Sequence, residues 1–278
     1  MKNFLEGAWD LHIHTAPDVV KRKCSDRRVA QRMQERGMSG GVIKGHFFET
    51  IARAELLNSE YPEVKIIGGI ALNRSVGGLN PEAVKKAGMM NGEMLWFPTM
   101  DAAAFQEYKH KDDSGFDSSE LLRACDENGE LKPEAYEILK TAAKYDMVVG
   151  TGHLSPNEGM KIAEAAFECG VRKFVLTHAE HPAINYTIEQ QKKAADMGAY
   201  IEHSFNNIFF RRCTLDDVIE QIKAVGAEYV ILTSDFGQTD APYFDDGMQM
   251  YLEKFSGYFT DDELNLMVKK NPEYLVNS

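Results

Sequence analysis

The sequence predicts an α/β protein: a (β/α)8 TIM barrel, one domain over residues 1–278 with an extended loop after the fourth strand. Three observations lead there. Eight short apolar or β-branched runs alternate with longer amphipathic segments over nearly the whole chain. Every stretch between them is long enough for a helix, as parallel strands require. Six of the eight histidines fall at the ends of the strand candidates, and a barrel brings the C-terminal ends of all its strands to one mouth. An open doubly wound sheet is the competing arrangement.

The first strand candidate, 8–14, carries Asp10-Leu11-His12-Ile13-His14-Thr15. Side chains alternate faces along a strand, so His12 and His14 share one face and Ile13 takes the other. Two neighbouring imidazoles can ligate one divalent ion, or they form a hydrogen-bonded pair at a strand end. The second candidate, 41–46, ends with Lys44 and His46 on a shared face. The third, 64–70, leads through Asn73-Arg74-Ser75-Val76-Gly77-Gly78-Leu79 to Asn80-Pro81, where Asn80 can cap a helix and Pro81 suits its first position. The free amides of that helix start, with Arg74, suit a substrate carboxylate; the alternative is a capped turn and nothing more.

The fourth strand candidate, 93–99, ends at Thr99. After it, residues 101–131 exceed a usual βα loop and include a hairpin-like Asn128-Gly129 turn. This stretch is either a lid over the mouth or a surface insertion. The fifth candidate, 147–153, ends in His153, and Ser155-Pro156 repeats the cap-and-proline device. The sixth, 173–178, ends in His178, with His181 in the loop beyond. In the seventh, 199–204, Glu202 and His203 are neighbours, so one faces the mouth and the other packs among helices. The eighth, 229–235, ends in Asp235. Gly37, Gly170, Gly198 and Gly226 each follow an amphipathic run, as left-handed C-terminal caps do.

Composition narrows the classes of function. A net charge of −12 without a clustered basic face argues against a nucleic-acid partner. Arg27-Arg28 and Arg211-Arg212 are isolated pairs, expected at solvated helix edges. Hydrophobic residues make up 44% of the chain and charged residues 27%, as in ordinary globular proteins. No apolar run approaches the roughly 18 residues of a membrane span. The first residues contain no apolar signal segment, so a cytoplasmic location is expected. Cys24, Cys125, Cys169 and Cys213 are scattered and read as reduced thiols. Barrels of this kind often form homo-oligomers, though no helix marks an interface.

In a barrel, His12, His14, His153, His178 and Asp235 converge on a volume suited to one or two divalent ions, zinc foremost, with manganese or iron as alternatives. Such an ion lowers the pKa of a bound water from about 16 toward about 7 and polarises a carbonyl or phosphoryl oxygen. Asp235 is placed to accept the proton and return it to the leaving group. His178 is either a ligand or a donor to the developing oxyanion.

With His-x-His ending the first strand, single histidines ending the fifth and sixth, and aspartate ending the eighth, the chain resembles the amidohydrolase superfamily. More closely, Asp10-Leu11-His12-Ile13-His14-Thr15-Ala16-Pro17-Asp18, Gly69-Ile70-Ala71-Leu72-Asn73, Thr151-Gly152-His153-Leu154-Ser155 and Ser234-Asp235-Phe236-Gly237-Gln238 resemble a functionally uncharacterised branch of it. The resemblance implies a metal-dependent hydrolase acting on a small amide, cyclic amide, amidine, or ester or lactone. One departure stands out. Many binuclear members bridge two metals with a carbamylated lysine ending the fourth strand, where this chain reads Trp96-Phe97-Pro98-Thr99. Either the site holds one metal or another strand supplies the bridge, with Lys44 the candidate. Lys44 could equally bind a substrate carboxylate or pair with an acid. His46 is a candidate substrate contact or weak ligand, or a support for one.

Two other readings compete. The Asp-x-His-x-His-Thr opening also resembles polymerase-and-histidinol-phosphatase (PHP-type) phosphoesterases, whose late motif adds a histidine soon after the aspartate; Ser234-Asp235-Phe236-Gly237-Gln238-Thr239-Asp240 has none. A catalytically silent barrel that binds a metal or small ligand is the reading from another class.

Overall fold

The computed structural model describes residues 3–277. Its barrel wall comprises β1 (Trp9–His14), β2 (Gly40–Lys44), β3 (Lys65–Ile67), β4 (Gly69–Ala71), β5 (Met94–Trp96), β6 (Val148–Gly150), β7 (Phe174–Leu176), β8 (Tyr200–Ser204) and β9 (Val230–Thr233). All paired neighbours run parallel, in the orders β1-β2-β3 and β4-β5-β6-β7-β8-β9. β3 and β4 are two halves of the third predicted strand, separated at Gly68. A side chain there would meet the backbone of Ile51 at 2.5 Å, so only glycine lets the chain pass. Thr50 bridges the interruption: its amide donates to the Gly69 carbonyl, and its hydroxyl accepts from the Gly69 amide and donates to the Ile43 carbonyl. At the other seam, the Asp235 amide donates to the His12 carbonyl and the His14 amide to the Phe236 carbonyl. Eight strands therefore close into the barrel.

Helices lie outside, with the expected starts. Asn80 accepts from the amides of Glu82 and Ala83, and Ser155 forms a reciprocal capping box with Glu158. Inside the barrel, Trp9, Val42, Met94, Trp96, Val175 and Ile231 pack one another, and Leu275 and Val276 of the last helix, Asn271–Val276, join that cluster. A larger apolar layer fills the space between strands and helices. The four cysteines are unpaired. Among the described residues, no helix is long and apolar enough to cross a membrane.

Five of the predicted strands stop short of their polar ends. β2 ends at Lys44, β5 at Trp96, β6 at Gly150, β7 at Leu176 and β9 at Thr233, so His46, Thr99, His153, His178 and Asp235 stand beyond the strands. His178 and Asp235 have φ of 53° and 49°. For non-glycine residues this left-handed conformation costs on the order of 1 kcal/mol each, and such strain gathers at functional sites. The long stretch after β5 is ordered: a helix spans Ala103–Lys109, and Cys125 pairs antiparallel with Leu131 around a tight turn with Gly129 at φ 78°.

Candidate metal centre

The His-x-His pair reaches the barrel mouth by way of an irregularity in β1. Asp10 pairs with Gly41 but Ile13 pairs with Ile43, so β1 spends three steps where β2 spends two. This bulge lets Trp9 and Leu11 face the interior and still turns His12 and His14 inward, with Ile13 packed in the outer layer. The Asp10 carboxylate clamps the bulge, accepting from the amides of His12 at 3.2 Å and Ser234 at 3.0 Å. Burial pushes that carboxyl up to about 7, against the pull of these hydrogen bonds. The repeat of two in the sequence points to His12 and His14 but carries no sign of the Asp10 clamp.

Each histidine of the cluster except His153 is oriented through its Nδ1. His12 Nδ1 meets Glu202 Oε1 at 2.7 Å, His14 Nδ1 the Lys44 carbonyl at 3.0 Å, His178 Nδ1 the Ser204 hydroxyl at 2.7 Å, and His46 Nδ1 the Thr99 hydroxyl at 2.9 Å. With Nδ1 so engaged, Nε2 is left for the centre. Nε2 of His14, His12 and His178 lies 3.1, 3.3 and 3.8 Å from the Asp235 carboxylate. Ligand atoms of His12, His178 and Asp235 all fall within 4.8 Å of one another. His153 stands beside them, its ring 5.4 Å from His178 and 5.8 Å from His46, with both nitrogens buried and unpartnered.

The electrostatics favour neutral imidazoles around one carboxylate. Burial drives His14 down to about 4 and holds His46, His153 and His178 well below the usual histidine range. Burial alone would raise Asp235, but the surrounding imidazoles outweigh it and keep the carboxyl well below its ordinary value. Neutral histidine and ionised carboxylate are the protonation states that bind a cation. The His153 nitrogens and His12 Nε2, buried and without a hydrogen bond among the described residues, are atoms a metal would satisfy. The residues therefore fit a divalent ion.

Lys44 lies fully buried on β2, its Nζ without a hydrogen-bond partner and 4.7 Å from the centre of the Trp96 ring. Burial lowers its amine to about 8, offset in part by Glu202 and Asp235. Trp96, at the inward position of β5, forms the floor below the histidines, 6.2 Å from His12. A side chain at Gly69 or at Gly150 would each stand 2.8 Å from its indole, so both glycines make room for it.

The remaining sequence expectations divide. Of the neighbours on β8, Glu202 faces the interior; His203 points outward, where its Nδ1 meets Glu180 at 2.9 Å. Arg74 is exposed, ion-paired to Glu120 at 2.9 Å, and does not line the cavity. The helix start beyond it turns its amides to the Asn80 cap instead. His181, expected as plain loop, lines the cavity, its ring 6.3 Å from His178. Arg212, expected at a solvated helix edge, is exposed yet also lines it, as do Arg22 and Phe105. A lone arginine in a loop, or a lone phenylalanine on a short helix, has no spacing that separates such a role from surface or packing use. The cavity holds about 210 Å³.

The architecture is that of a (β/α)8 barrel whose mouth is rich in histidine. An amidohydrolase from Pseudomonas aeruginosa superposes with a TM-score of 0.69 at 10% identity, over 99% of this chain and 96% of that one. A probable dipeptidase from the same organism gives 0.66 at 12%, covering 96% and 94%. A probable 2-pyrone-4,6-dicarboxylic acid hydrolase from Acinetobacter baumannii, with citric acid bound, gives 0.61 at 14%, covering 98% and 100%. At these identities the likeness concerns the fold. The chain belongs to a family of unknown function, DUF6282, whose model matches residues 7–202. No curated protein matches the sequence.

Proposed function

We propose that the protein is a metal-dependent hydrolase that directs a metal-activated water at a small amide, cyclic amide, amidine, or ester or lactone. The observation that carries this reading is the set of imidazoles whose Nδ1 atoms are fixed by oxygen partners while their Nε2 atoms close on Asp235. His12, His14, His178 and Asp235 would hold the first ion, zinc by preference. His153, with His46 beside it, would hold a second ion, and Lys44, whose buried Nζ has no hydrogen-bond partner among the described residues, would join that site as a carbamate formed from its neutral amine and carbon dioxide with loss of a proton. The bound cation supplies an acidified water and an electrophile for the scissile group. Asp235 takes the proton at its carboxylate and returns it to the leaving atom. Glu202 holds the His12 ring in one tautomer and raises its basicity. Trp96 seals the site from below, and the 101–131 segment covers it as a lid, supported by the Phe105 ring 4.6 Å from His153. The likeness of fold to hydrolases agrees with this reading.

The test is elemental analysis of purified protein, followed by a panel of amides, lactones and phosphate esters with added zinc or manganese. One or two ions per chain and turnover of an amide or lactone that Asp235→Asn abolishes are the expected results. A protein that takes up neither zinc nor manganese ends the proposal. Robust phosphatase turnover favours the phosphoesterase reading instead, and metal binding without turnover on any panel the silent barrel.

A further inference from the structure

The cavity above the histidines is lined by both apolar and basic side chains. Phe47 follows β2, and Met100 and Phe105 follow β5, Phe105 on the helix Ala103–Lys109. Two guanidinium groups line the same cavity, Arg22 from the loop after β1 and Arg212 from the segment after β8. The Arg22 side chain is 5% exposed, and its Nε donates to Asp18 at 2.6 Å. Its terminal nitrogens make no hydrogen bond among the described residues, and its charge reaches the centre, where it contributes to the lowered His14, His46 and Lys44. Arg212 is held differently. Its Nη1 donates to the amide oxygens of Asn206 at 2.5 Å and Asn207 at 3.2 Å, and it has no carboxylate at ion-pair distance among the described residues. Two amide oxygens fix the fork without neutralising it. In a chain of net charge −12, most cations near a surface find an acid; one oriented by neutral groups beside a cavity keeps its charge for a ligand. The guanidinium lies over the Phe210 ring at 5.3 Å, and its Nε and Nη2 make no hydrogen bond among the described residues, which leaves them for a planar, two-point contact of the kind carboxylates accept.

We propose that the substrate is a compact molecule with a carboxylate bound by Arg212 and Arg22 and an apolar or aromatic body against Phe105, Phe47 and Met100. What is done to that molecule rests on the hydrolase reading above; the recognition itself does not require the metal. The cavity's volume of about 210 Å³ lies below the roughly 300–1,000 Å³ of pockets for drug-sized ligands, which keeps the molecule small. Arg212 and Arg22 take over the role that the sequence suggested for Arg74.

The experiment compares two probes that differ in charge alone, 3-phenylpropanoate and the neutral 3-phenylpropanamide, by isothermal titration into metal-stripped protein. The carboxylate is expected to bind about tenfold or more tighter, as a charge-assisted bidentate contact adds over a neutral one. Arg212→Met removes that preference, and Phe105→Ala weakens both probes alike. Arg212 is exposed, so its variant should fold; Arg22→Met is made together with Asp18→Asn so that no acid is left buried alone, and circular dichroism checks both. Equal binding of the two probes, binding of neither, or a preference that survives Arg212→Met overturns the proposal. Zinc uptake measured on the same preparations separates the two readings. Protein that takes no zinc but keeps the Arg212-dependent preference sinks the hydrolase reading alone; zinc uptake without the preference sinks this one alone.

Discussion

Replacing Glu202 by Gln probes the proposed centre without touching a proposed ligand. Glu202 Oε1 accepts from His12 Nδ1 at 2.7 Å and from the Thr233 hydroxyl at 2.8 Å, and the His12 and Glu202 side chains are 1% and 3% exposed. Gln keeps an oxygen of the same shape in place and removes only the charge. A hydrogen bond to a charged group contributes about 1.5–3 kcal/mol net and a neutral one about 0.5–1.5 kcal/mol. The difference, about 1–1.5 kcal/mol, weakens the His12–metal bond by close to tenfold in Kd. Glu202→Leu removes the acceptor as well and strands a buried N–H, so its loss should approach 100-fold, the upper end for such supporting partners. The assay is zinc titration against a competing chromophoric chelator, with circular dichroism to confirm the fold. If the Gln variant folds normally and holds zinc within about twofold of the parent, the proposed route from Glu202 through His12 to the metal is wrong.

Four further outcomes follow from the geometry. His203→Ala, one residue along, breaks the buried pair with Glu180 and should cost about 3 kcal/mol in urea unfolding while zinc affinity is unchanged. Burial would raise the Glu180 carboxyl, but His203, Asn207 and the Ser204 amide lower it below the ordinary glutamate value, so its contribution is whole above that value and lost as pH falls through the folded one; an unfolding series in acid reads this directly. Gly150→Ala forces a methyl against the Trp96 indole at 2.8 Å and the Thr177 hydroxyl at 2.9 Å, an overpacking of about 1–3 kcal/mol that a drop in Tm would report. Lys44→Met should stabilise the metal-free protein. The Lys44 amine falls from 10.5 to about 8 on burial, so the unfolded chain binds the extra proton between those values; the cost, about 3 kcal/mol, is complete below 8 and disappears toward 10.5. A Met variant no more stable than its parent at pH 7 would contradict that burial cost.

Much of the barrel was legible because strand and helix periods are local. The eight runs, the caps at Asn80 and Ser155, and the facing of His12 with His14 all follow from alternation and first-turn chemistry. The errors have both local and tertiary causes. Strand candidates 41–46, 93–99, 147–153, 173–178 and 229–235 ran past their true ends because polar residues after an apolar run carry no mark of where the ladder stops. The third strand's break at Gly68 arises from the close approach of Ile51, a contact with a distant segment. Arg74 was attractive because it precedes a helix start, and it turned instead to Glu120, whose position belongs to the long segment after β5.

Spacing along the chain determined the fold class, the order of the strands and the roll of histidines with Asp235 at their ends, since each depends on residues a few positions apart. Tertiary structure alone decided which of Glu202 and His203 meets His12, that Asp10 clamps the bulge aiming the His-x-His pair, that Trp96 underlies the site with Lys44 over its ring, and that Arg22 and Arg212 share a cavity. Those relations join residues as much as 224 positions apart, Asp10 to Ser234 among them, and exist only once the closed barrel makes such positions neighbours.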